Sequence, residues 1–182
     1  SNGAKANITT YIEQDLAAID CNFSEGLCFA KIKFEPKKVS TRSTVCFDKK
    51  GNIQFELEGG YFVECDFANG IALLQSNGLT HYICNTKGEL TSCQDLGGTN
   101  VYGTQTISGS ELISEMWKDG HLLVEKVTSD YSGTKHEVAI FNSKLEKTKD
   151  YSEELYTWFE KGREKYFRGF ILNDNIENTI EV

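Results

Sequence analysis

One pattern recurs four times in this chain of 182 residues: an aromatic residue, a short polar step, and then a strand-like run. The copies are Phe23-Ser24-Glu25-Gly26-Leu27, Phe67-Ala68-Asn69-Gly70-Ile71, Trp117-Lys118-Asp119-Gly120 leading into His121-Leu122, and Tyr151-Ser152-Glu153-Glu154-Leu155. A copied supersecondary unit cannot bury its apolar face alone, so its copies must pack on one another. That constraint precedes any argument from a single residue.

Each copy reads as strand, turn, strand, tight turn, strand. In the second, Ile71 to Gln75 leads into Ser76-Asn77-Gly78, a hairpin signal. Leu79 to Cys84 returns, Asn85-Thr86-Lys87-Gly88 turns, and Glu89 to Cys93 gives a third strand. Asp48-Lys49-Lys50-Gly51 fills the same turn in the first copy, and Ile53-Gln54-Phe55-Glu56-Leu57 alternates apolar and polar behind it. In the third, Asp130-Tyr131-Ser132-Gly133 closes a hairpin, and Asn142-Ser143-Lys144-Leu145 takes the tight turn with leucine where glycine is expected. The fourth tight turn is Asn173-Asp174-Asn175-Ile176. Asn or Asp opens all four, because a short polar side chain bonds the local amides of a tight turn.

Two segments admit two readings. Asn100 to Ile107 is either a fourth strand of the second unit or an exposed loop. In the fourth copy, Ser152 is a candidate helix cap, and Leu155, Trp158, Phe159 and Gly162 have helical spacing. The match of Tyr151 to Leu155 with Phe23 to Leu27 favours a strand there.

The expected fold is therefore all-β, with about four antiparallel units of three to four strands in a small propeller-like ring or a stacked hairpin array. A strand from the region of Asn7 to Ile19 would complete the last sheet of such a ring. Ser1-Asn2-Gly3 reads as a tag-removal scar. Residues 4–182 read as a single β-repeat domain, with units at about 20–60, 64–110, 114–148 and 151–182, or as a piece of a longer array.

The pattern resembles the WG-repeat family of bacterial β-repeat proteins. Its units combine an aromatic, a polar residue and Gly-Leu-Ala with a later aliphatic-Asp/Asn-x-x-Gly turn. Phe23 to Leu27 with Phe47 to Gly51, and Phe67 to Ala72 with Cys84 to Gly88, match both halves. The naming Trp-Gly pair is absent: Thr44-Val45, His81-Tyr82, Val138-Ala139 and Gly169-Phe170 stand in its place. The resemblance implies a degenerate relative with blade-like repeats that serves as an interaction scaffold, and it implies no reaction.

Composition narrows the function classes. The formal charge is −8, and Lys and Arg form no stripe, which argues against a nucleic-acid partner. No apolar run approaches the ~20 residues of a membrane helix. The six cysteines include no Cys-x-x-Cys pair and read as buried thiols, which favours the cytoplasm and leaves the cell surface or secretion open. His81, His121 and His136 are dispersed without metal-ligand spacing, and His81 and Cys84 fall on opposite faces of one strand. No phosphate-binding loop or nucleophile elbow occurs. No catalytic residue, metal ligand or cofactor is assigned.

Tyr61-Phe62, Trp158-Phe159 and Tyr166-Phe167 each place two rings at successive positions. Core packing is the simpler reading. If one sheet face is open, Tyr61, Trp158 and Tyr166 are the candidates to stack on a sugar or grip a peptide. The expected function is a non-catalytic scaffold for a protein or carbohydrate ligand, with a hydrolase using carboxylates in a central channel as the alternative.

Overall fold

A computed structural model describes residues 16–18, 23–33, 42–101 and 117–160. The described residues are dominated by antiparallel β-structure in three four-stranded sheets. The first holds β1 (Leu16–Ala18), β2 (Leu27–Lys33), β3 (Arg42–Asp48) and β4 (Ile53–Leu57). The second holds β5 (Tyr61–Ala68), β6 (Ile71–Ser76), β7 (His81–Asn85) and β8 (Leu90–Ser92). The third holds β9 (Asn100–Val101), β10 (His121–Asp130), β11 (Gly133–Asn142) and β12 (Lys147–Ser152), followed by the helix α1 (Glu153–Glu160). Each sheet is a meander in which sequence neighbours pair. Two compact units result, Ser1–Asp95 with the first two sheets and Leu96–Val182 with the third.

The same register recurs in all three sheets. Leu27 pairs with Asp48, Ile71 with Asn85, and His121 with Asn142, so each strand after the aromatic motif starts opposite the residue that opens the tight turn. Those turns are also alike in their bonds. The Asp48 side chain accepts the amides of Lys50 and Asn52, Asn85 those of Lys87 and Glu89, and Asn142 those of Lys144 and Glu146. The loop then requires a left-handed residue to rejoin the strand, and Gly51, Gly88 and Leu145 supply it at φ 79°, 83° and 62°. The turn expected at Asn173 lies outside the described residues.

The aromatic motif itself is a two-residue hairpin in the first two copies. Ser24 and Leu27 exchange backbone bonds of 3.0 and 2.9 Å, with Glu25 and Gly26 between them at φ 51° and 82°. Asn69 and Gly70, at φ 53° and 82°, repeat the geometry between Ala68 and Ile71. Two positive φ values in succession define a type I′ turn, whose twist suits flanking strands.

Four expectations need correction. The first strand expected in the fourth copy is a helix: Tyr151 and Ser152 end β12, Glu153–Glu160 is helical, and the remainder of that copy lies outside the described residues. Ser152 Oγ accepts the amides of Glu154 at 3.1 Å and Leu155 at 3.4 Å and so caps the helix. Asn100–Val101, expected, if a strand, in the sheet of the second sequence copy, belongs instead to the third sheet, where it pairs with β10. Leu79, expected to open the returning strand, lies in the turn instead, and β7 begins at His81. Leu79 bonds to Ser76 and takes the left-handed φ of 64°. Finally, Cys28 is disulfide-bonded, whereas Cys46, Cys65, Cys84 and Cys93 are buried thiols outside any disulfide.

Within the first unit, the two sheets share one core of Phe29, Cys46, Leu57, Phe67, Ala72, Leu74 and Cys84. Phe29 lies three residues after Gly26, whereas Ala72 and Leu74 lie two and four after Gly70. Side chains alternate along a strand, so the face that the first sheet offers corresponds to the opposite face of the second. The sheets therefore stack head to tail. Phe67 stacks on Phe29 with ring centroids 5.1 Å apart, and Phe55 lies so close to the Gly88 turn that a Cβ there would come within 2.6 Å of its ring. Thr44 secures the crossing between them, accepting the Tyr61 amide at 3.0 Å.

In the second unit, the face of the third sheet equivalent to the Phe29 face carries Leu123, Glu125, His136, Val138 and Ile140. Helix α1 packs against β11, burying Leu155 and stacking Tyr156 on His136.

Candidate functional site

The aromatics singled out from sequence do not form one site. Tyr61 is half-buried against the first unit's core and meets Tyr82 edge-on at 5.8 Å. Burial, with Tyr82 and Cys84 nearby, pushes its phenol pKa up. Phe62, the other ring of that pair, faces outward, as strand alternation requires. Trp158 lies in α1, and Tyr166 is outside the described residues. Sequence reasoning missed the most exposed ring among the described residues, Tyr131 at the β10–β11 hairpin tip. Its place in an Asp-Tyr-Ser-Gly turn was the signal that could have found it.

Two polar constellations stand out. The first joins the aromatic-motif turns of the first two sheets. The Glu25 carboxylate reaches across to the second turn, where Oε1 accepts the Asn69 amide at 2.7 Å and Oε2 the Gly70 amide at 2.9 Å. Beside it, Ser24 Oγ donates to the Phe67 carbonyl. A carboxylate with one oxygen on each of two converging amides is a charge-assisted, orientation-specific contact. The serine and glutamate of the motif thus bond the next copy of the motif.

The second lies on the third sheet. His136 Nδ1 is 2.8 Å from Glu125 Oε1, and the imidazole stacks on Tyr156 at 4.7 Å. Lys135 is paired with Glu137 and Glu153, both at 3.0 Å, which ties the helix start to β11. Tyr151 crosses the sheet to donate to the Leu96 carbonyl at 3.0 Å, with the Lys126 and Lys147 ammonium groups near its ring. Both arrangements attach the flanking segments to the sheet.

Nucleophilic chemistry finds no activated thiol among the described residues. Burial pushes Cys46 and Cys84 up to about 12 and raises Cys93 as well, so these sulfurs stay protonated. His81 faces Gln75, at 3.3 Å, on the neighbouring strand. Among the described residues, no three metal-ligating side chains gather at one point, and no helix is long and apolar enough to cross a membrane.

No family profile, curated protein or solved structure matches this chain.

Proposed function

We propose that this chain is a degenerate WG-type β-repeat scaffold that binds a protein or carbohydrate ligand without transforming it. The observation that carries this reading is the head-to-tail junction within the first unit. There Glu25 holds the Asn69-Gly70 turn, and Phe29 stacks on Phe67. A fold that uses Ser24 and Glu25 to join its first two sheets presents its remaining turns and outward rings as recognition surface. Phe62 and Tyr131 are the exposed rings best placed for that role.

The test is a parallel screen of immobilised glycans and displayed peptides, with the same protein assayed against chromogenic glycoside and peptide substrates. Saturable binding to one ligand class, weakened by Phe62→Ser or Tyr131→Ser and accompanied by no turnover, is the expected result. Turnover abolished by Glu125→Gln would instead establish the hydrolase alternative, because Glu125 and His136 lie within hydrogen-bond distance of each other, at 2.8 Å.

A further inference from the structure

The first two aromatic-motif turns share a backbone conformation but differ in what contacts them. At the second, the amides of Asn69 and Gly70 hold the Glu25 carboxylate, and Phe67 is stacked on Phe29 with 2% of its surface exposed. At the first, Glu25 and Gly26 present the same two amides at nearly the same φ values, and neither has a hydrogen-bond partner among the described residues. Phe23, the counterpart of Phe67, meets Phe47 edge-on at 5.6 Å and remains 43% exposed.

We infer that the Phe23–Leu27 turn is a docking site for an acidic β-hairpin of a partner protein, which places a glutamate carboxylate on the Glu25 and Gly26 amides and an aromatic ring on Phe23. The inference rests on the repeat-scaffold reading and specifies where and by what chemistry a protein ligand is held. The occupant's chemistry is read from the molecule itself, because its own Glu25 and Phe29 supply those two groups to the equivalent turn. Two independent features lead to the same partner: a converging amide pair that accepts a carboxylate, and a half-exposed ring whose counterpart is covered by a stacked ring. A glycan carries no such ring-and-carboxylate pair in hairpin geometry.

The probe is a cyclic peptide with the sequence of residues 23–29 of this chain, which carries Glu25 and Phe29 and no lysine, Cys28 replaced by serine, titrated into the full-length ¹⁵N-labelled protein. Saturable shifts of the Glu25 and Gly26 amide signals with Kd below about 1 mM are expected. The peptide with Glu25→Gln should bind about tenfold more weakly, since a carboxylate is the stronger acceptor. Phe23→Ser in the protein should weaken binding comparably, whereas Glu56→Ser, an exposed change on β4, should not. Absence of saturable shifts at those amides, or equal binding of the glutamine peptide, overturns the inference, while the glycan and peptide screen tests the scaffold reading separately. Self-association of the protein abolished by Phe23→Ser would also overturn it, by making a second copy the occupant.

Discussion

Leu79 is held at φ 64° with 73% of its surface in solvent. A β-carbon in the left-handed region costs about 1–2 kcal/mol, and little packing offsets it here. Leu79→Gly should therefore stabilise the protein by about 1 kcal/mol, part of the relief being lost to the greater freedom of glycine in the unfolded chain. Thermal or urea unfolding checks this, and an unchanged or lower midpoint contradicts it. The Leu145 anomaly was legible, because the turn alignment left leucine in a glycine slot. Leu79 was not legible, because Asn77-Gly78 suits a two-residue loop. The deciding factor is the strand register, which places Cys84 opposite Ala72 in the shared core and Ile83 opposite Leu73. A two-residue loop would shift the pairing by one and bring Ile83 opposite Ala72 instead.

At the scale of elements, similar letters gave two structures. Phe23-Ser24-Glu25-Gly26-Leu27 is a hairpin, and Tyr151-Ser152-Glu153-Glu154-Leu155 is a strand end and a helix start. The difference is the glycine: a type I′ turn needs two positive φ values, and Glu154 stands where Gly26 and Gly70 supply the second. Freed from the turn, Ser152 caps α1, and the two glutamates suit its first turn. Ser152→Ala should cost α1 about 1 kcal/mol. Amide exchange in residues 154–157 should accelerate about fivefold while the β10–β11 ladder is unaffected; equal protection in the variant would contradict the cap. The neighbouring turn offers a sharper case. Gly88→Ala forces a Cβ against the Phe55 ring at φ 83° and should cost about 2–3 kcal/mol in an unfolding measurement. A cost under about 0.5 kcal/mol would mean that Phe55 does not rest on that turn.

At the scale of the molecule, the antiparallel pairing of sequence neighbours and the tight turns were largely written in the chain, since they follow from local turn chemistry and alternation, whereas the repeats predict about four units and three sheets are found among the described residues. The site was not. Which ring of Tyr61-Phe62 faces out depends on what covers each face of β5. The Glu25 bridge joins residues more than forty positions apart, a relation no local pattern encodes. The thiols give a molecule-wide check. With Cys46 and Cys84 buried and pushed up to about 12, the native protein at pH 8 should leave both unlabelled by a thiol reagent, and both should react once it is unfolded. Rapid native labelling of either would show that the shared core is open. The head-to-tail junction itself is tested most directly by a double-mutant cycle between Phe29→Leu and Phe67→Leu, read by urea unfolding. Stacked rings across the two sheets predict a coupling energy of about 1 kcal/mol. Effects that add to within about 0.3 kcal/mol would contradict the stacking that joins the first sheet to the second.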